Sequence, residues 1–158
     1  MSKSPITSPL ADAEKKATGD VLQSTLVDLI DLSLIAKQAH WNVVGKNFRS
    51  VHLQLDELVT TARTYTDSVA ERASALGVSP NGKARTVADS SGLPDFPSEW
   101  LKEDDVVPAL VSTLSTLIER LRSRIETTEK TDPVTQDLLI EITSKIEEAH
   151  WMWQAQQA

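Results

Sequence analysis

Along the segment VHLQLDELVTTARTYTDSVAER, Val51 to Arg72, His52 and Asp56 stand four residues apart, and so do Asp67 and Glu71. At ~100° per residue all four fall within a sector of roughly 100°, so a single helix would present them as one polar stripe. Imidazole with carboxylate is a borderline-to-hard ligand set suited to iron, manganese or zinc. His40, twelve residues before His52 and across Gly45, adds a second imidazole. Yet His52 and Glu71 are nineteen residues apart, which is ~28 Å along a helix axis, so one chain cannot gather all of them around one metal centre. The stripe is symmetric about the point between Thr61 and Ala62: position 52 mirrors 71, and 56 mirrors 67. Against an antiparallel copy of the same helix, His52 would face the partner's Glu71 and Asp56 would face the partner's Asp67. Two-fold contacts are the commonest between identical chains, and each generates two identical sites. Thr60, Thr61 and Ala62 are small residues for the crossing point. A lone pair of charged residues four apart is usually only a solvated or locally paired feature. The mirrored spacing is what sets this stripe apart.

The elements that must carry the stripe are helical. From about Leu10 to Val44, Leu22, Leu26, Leu29, Ile30 and Leu34 recur at helical spacing, with Gly45 as the stop. Asn47 is the N-cap for a second helix running to Leu76 and ending at Gly77. GVSPNGKARTVADSSGLPDFPSEW then breaks the pattern over more than twenty residues, too long for a tight turn, with ARTVADS as a short helix inside it. A third helix starts near Asp104 or Asp105 with Val107, Leu110, Leu114, Leu117 and Leu121 as its apolar face. Asp132-Pro133 sets an N-cap and a proline at the first helical position, opening a fourth helix through about Gln154. Four long helices with one long middle connection describe an all-α, ferritin-like four-helix bundle, with a short helix in the crossover between the second and third. Residues 1–9 read as a flexible N-terminal arm and 10–158 as the bundle domain.

Composition agrees with that class and narrows the function. A chain of 158 residues suggests one domain, and 40% hydrophobic residues suffice for a core. A net charge of −7 argues against a surface that coats nucleic acid and is compatible with attracting cations. The absence of cysteine removes disulfides, zinc–thiolate sites and iron–sulfur clusters from consideration. The N-terminus lacks the apolar run of a signal peptide and no segment reads as a membrane span, so the expectation is a soluble cytoplasmic protein with no membrane partner.

HWNVVGKNFRSVHLQLDEL followed by DSVAERASALG resembles the signature of the Dps family, the mini-ferritins named as DNA-binding proteins from starved cells. The match includes His40-Trp41-Asn42, Gly45, Phe48, the His52/Asp56 pair and the run from Asp67 through Arg72, with GLPDFP and DPVTQDLL…HWMWQA as further landmarks. This resemblance implies a homo-oligomer, a hollow dodecamer of tetrahedral symmetry built from two-fold dimers. Its interfaces would hold di-iron ferroxidase centres, with His40, His52 and Asp56 from one subunit and the partner's Asp67 and the partner's Glu71 from the other. It also implies oxidation of iron(II), typically with hydrogen peroxide, and storage of ferric mineral, which protects against oxidative damage. Within that frame Asp67 and Glu71 form the tighter half, His40 and His52 the looser one, and Asp56 either ligates or orients a histidine. Trp41 is a candidate for intercepting stray oxidising equivalents.

Other residues take roles by the same resemblance. Asp132, Asp137 and Glu141 resemble the acidic lining of three-fold pores in the family, where a carboxylate ring would focus iron electrostatically. Glu57 is a candidate for nucleating mineral, with a plain surface role beside it. Glu147 and His150 form a Glu-x-x-His of the conventional di-iron type, but no second copy accompanies it: Lys37 precedes His40, and Arg49 precedes His52, at that offset. HWMW reads instead as an aromatic packing or subunit-contact patch. The alternative function is a nucleoid-structuring DNA-binding protein with a secondary metal site. Against it, Lys3, Lys15 and Lys16 are balanced by Asp12, Glu14 and Asp20 within residues 1–20, so the arm offers phosphates little net charge.

Overall fold

Apolar stripes on four long helices meet along one axis in the computed structural model, which describes residues 4–157. The helices are α1 (Asp12–Asn42), α2 (Phe48–Ala75), the short α3 (Ala84–Ser90), α4 (Glu103–Thr128) and α5 (Pro133–Gln154), followed by a 3-10 turn over Ala155–Gln157. The chain is a ferritin-like four-helix bundle with α3 in the crossover. Val107, Leu110, Leu114, Leu117 and Leu121 of α4 are all buried, as their spacing predicts. On α1 the buried stripe is Leu22, Leu26, Leu29, Leu32, Ala36 and Ala39. Leu34, expected inside, is exposed, because Leu32 and Ala36 hold the next inward positions of the 3.6-residue period. Of the arm, residues 4–9 carry no helix, and α1 begins at Asp12; residues 1–3 lie outside the described part of the chain.

Helix α1 stops two residues before its predicted end. The β-branched Val43 and Val44 adopt extended backbone as strand β1 and pair in parallel with β2, Leu101–Lys102. Gly45 follows at φ +138°, and Glu103 from the start of α4 packs so closely that a Cβ there would fall 1.5 Å from its carboxylate. The same carboxylate accepts the Asn47 backbone N–H at 2.9 Å. A residue from the other half of the bundle therefore satisfies the start of α2, where Asn47 makes no side-chain cap. At the far end Gly77 (φ +70°) closes α2 in a Schellman motif, with Val78 N–H bonded to the Ala73 carbonyl and Gly77 N–H to that of Ser74, each at 2.9 Å.

The crossover is tied to α1 at successive points. Gln23 and the backbone of Asn81 exchange two hydrogen bonds of 2.9 Å. Ser91 donates to Asp31, and Gly92 N–H donates to Asp28 at 3.1 Å. Asp28 is fully buried and is also clamped by Arg120 (2.8 Å) and Arg124 (2.6 Å) of α4. Burial depresses the Arg124 pKa, and Asp28 opposes that by holding its charge. Removing one member of a buried charge cluster strands the others. Asp28→Ala is therefore expected to destabilise the fold by about 3–5 kcal/mol, measured as a lowered denaturation midpoint. A variant that unfolds with the wild type would refute the anchoring role.

Candidate metal centre

The end of α1 and the start of α2 bring His40, His52 and Asp56 together. The two imidazoles stack with centroids 3.6 Å apart and planes inclined by 22°. His40 Nδ1 lies 2.9 Å from the His52 carbonyl, and His52 Nδ1 lies 2.9 Å from the His40 carbonyl. A carbonyl oxygen only accepts, so each Nδ1 must carry its proton. In the neutral ring Nε2 then keeps a lone pair, the form in which an imidazole binds a metal. Crossed hydrogen bonds thus select the tautomer of both rings before any ion arrives. Phe48, half-exposed, packs on His52 with centroids 4.9 Å apart, and Trp41 beside His40 is 62% exposed.

Asp56 is not a free ligand in this arrangement. Its Oδ1 accepts a hydrogen bond from Lys37 Nζ at 2.5 Å and sits 3.4 Å from His40 Nδ1. The Lys37 ammonium holds the Asp56 carboxyl below the usual carboxylate range, overcoming the opposing effect of burial, with help from His40. The sequence reading gave Lys37 no part in the site. Its signal was available, since three residues before His40 is one helical turn, on the same face.

Asp67 and Glu71 are exposed on the last turns of α2, and among the described residues they make no ion pair or hydrogen bond. The next residue, Arg72, fixes that end of the helix to α5: it bonds Thr135 Oγ1 at 3.0 Å and pairs with Asp132 at 2.5 Å. Within one chain the two halves stay at opposite ends of α2. Among the described residues no cluster of three or more His, Cys, Asp or Glu is placed to hold a metal. The crossing point differs from its sequence reading. Ala62 is fully buried in the chain's own core, because it lies on the opposite side of α2 from the stripe, and the exposed residues there are Thr60, Arg63 and Thr64.

The remaining sequence-predicted residues are dispersed. Asp132 sits at the N-cap position of α5, but its carboxylate makes no capping bond and is buried against Arg72 and Thr135. Asp137 and Glu141 are exposed, and Glu141 accepts the Tyr65 hydroxyl at 3.0 Å. Glu57 is exposed on the rim of a groove of about 410 Å³ between α2 and α5, with Tyr65, Lys145, Glu148 and Trp153. Glu147 pairs with Arg122 at 2.6 Å, apart from His150. Of HWMW, Trp151 is exposed and Trp153 is among the most buried side chains. No helix among the described residues is long and apolar enough to cross a membrane.

Known proteins share this fold. A ferritin-like domain family matches residues 19–158. A DNA protection during starvation protein of Mycolicibacterium smegmatis is 37% identical over 146 residues, covering 92% of this chain and 80% of that protein. DNA protection during starvation protein 2 of Deinococcus radiodurans is 35% identical over 150 residues; the alignment covers 94% of this chain but only 62% of that longer protein. The structure of Dps from Microbacterium arborescens in a high iron form superposes with a TM-score of 0.90 at 28% identity, covering 96% of this chain and 98% of that one.

The tie between Arg72 and Asp132 carries a pH dependence. Burial alone would raise the Asp132 carboxyl, but bonds from Thr135 and Arg72 outweigh it and hold the pKa below the ordinary value. A depressed carboxylate contributes stability above its unfolded pKa and loses it as pH falls toward the folded one. Asp132→Asn is expected to flatten the decline in thermal midpoint below about pH 4. An acid profile unchanged from wild type would exclude this pair as its source.

Proposed function

Because the chain belongs to the Dps family of ferritin-like proteins, we propose that it oxidises iron(II) at centres shared between two subunits and stores the ferric product in a closed homo-oligomer. The observation that carries this reading is the division of the ligands. A preorganised histidine half lies at one end of α2, an unpaired carboxylate half at the other, and the mirrored spacing lets an antiparallel copy complete both. Exposed Trp41, Phe48 and Leu53 near the histidine half form an apolar border that a second copy would cover.

Iron is the substrate. Asp67 and Glu71 supply hard oxygen ligands that suit the ferric product, and His40 and His52 supply the two lone pairs of the facing position. The chain's part is to hold two ferrous ions side by side with room for the oxidant, hydrogen peroxide. Exposed Asp137 and Glu141 would draw cations toward the start of α5, and Glu57 would offer the product an oxygen ligand. Asp132, held by Arg72, contributes its charge there from a fixed position. The dodecameric cage is the assembly this reading requires.

Removing both carboxylates of one half tests it. Asp67→Ala with Glu71→Ala is expected to leave the oligomer assembled and to slow iron(II) oxidation by more than the about 10–100-fold that loss of a merely supporting residue brings. Near-wild-type kinetics in an assembled double variant would reject those roles. DNA compaction, the rival suggested by the relatives' names, is separated by a gel shift. With a charge of −7 and a balanced N-terminal arm, the protein is expected not to retard DNA between about 50 and 200 mM salt. Retardation persisting across that range, without fast iron oxidation, would favour the nucleoid role.

A further inference from the structure

The crossed bonds between His40 and His52 depend on the turn from Val43 to Asn47 that joins α1 to α2. Each ring donates to the other residue's backbone carbonyl at 2.9 Å. The pair therefore holds only while the two helix ends keep their spacing. Residues 101–103 brace that turn from outside α1 and α2. Val43 and Val44 pair with Leu101 and Lys102. Glu103 Oε1 accepts the Asn47 backbone N–H at 2.9 Å. Its other oxygen, Oε2, is buried in the space that a side chain on Gly45 would occupy. Among the described residues Oε2 has no hydrogen-bond partner. One oxygen of Glu103 thus acts as an acceptor and the other by its bulk.

Taking the side chain away leaves an orphan donor at the start of α2 and a void against Gly45. Movement of the turn relieves both. Hydrogen bonds weaken steeply once donor and acceptor lose alignment. An imidazole whose Nδ1–H loses its carbonyl has nothing to keep the proton off Nε2, the nitrogen a metal needs.

We infer that Glu103 is a positioning residue for the histidine half. Acting through Gly45 and Asn47, it holds the His40/His52 stack in the metal-binding tautomer from the other half of the bundle. Its reach and its one accepting oxygen do this, and its charge does not. The tautomers are a property of the single chain; the consequence for metal rests on the shared-centre reading above.

The test reads the ring nitrogens by nitrogen-15 NMR of the metal-free, full-length assembled protein, labelled at its three histidines. It is run at about pH 8, above the ordinary histidine range. In the wild type His40 and His52 are expected to carry their protons on Nδ1 alone. Glu103→Ala is expected to give mixed tautomers, as is Glu103→Asp, which keeps the charge but draws it back by one methylene. Both should bind cobalt(II), titrated without oxygen, about 10–100-fold more weakly. Glu103→Gln keeps the reach and an acceptor, and it should match the wild type in both measurements. Asp28→Ala, destabilised away from the turn, should keep wild-type rings below its denaturation midpoint. Wild-type rings in the aspartate variant, or mixed tautomers in the glutamine variant, overturn the role of Glu103, and these two decide alone if the alanine variant fails to fold. Rings scrambled equally by Asp28→Ala overturn it too, because the pair then merely follows overall stability. If the rings respond as expected but cobalt binding ignores Asp67→Ala with Glu71→Ala, the shared centre falls and the role of Glu103 stands.

Discussion

A straight α-helix advances about 1.5 Å per residue and does not fold back on itself. This constraint governs the whole molecule. Helix α2 carries candidate metal ligands toward both ends, and its 28 residues keep those ends apart. No packing of the remaining helices relaxes that separation. The bundle instead holds each end still. Glu103 closes the turn that brings His40 beside His52, and Arg72 with Asp132 pins the other end to α5. On the reading proposed above, chemistry belongs to the pair of chains, and the fold of each chain presents half a site.

Preparation of the histidine half is electrostatic as well as geometric. Backbone carbonyls fix the protons on both Nδ1 atoms, so no tautomer has to be selected as metal binds. The carboxylate beside them is neutralised by a lysine from the same chain. Asp67 and Glu71 have no such partner among the described residues.

Much of this was legible in the residue order, and what was not has physical causes. Apolar periods located α1 and α4, cap and stop residues located α2 and α5, and ARTVADS gave the limits of α3, because capping and turn residues act locally. The polar stripe was readable for the same reason, since faces of a helix follow from spacing alone. Pairings between distant positions were not readable. Asp28 with Arg120 and Arg124, and Glu103 with the Gly45 turn, depend on tertiary placement that no local pattern encodes. Ala62 marks the limit from the other direction: being small suggested a contact with a second copy, but its angle on α2 turns it into the chain's own core. Leu34 errs the opposite way, an apolar residue left outside where Leu32 and Ala36 already fill the interior.

The crossover has a consequence for anyone who would decorate this protein. Though irregular outside α3, it is fastened at Asn81, Ser91 and Gly92, and a Cβ at Gly92 would come within 2.2 Å of the Arg120 guanidinium. Foreign peptide grafted at those fastenings would pull the guanidinium from Asp28 and loosen the seam between α1 and α4. Phe96 packs against the core, whereas Pro97 to Trp100 are exposed and, among the described residues, make no hydrogen bond to the helices, so it is there that a tag or epitope can be carried without disturbing the bundle.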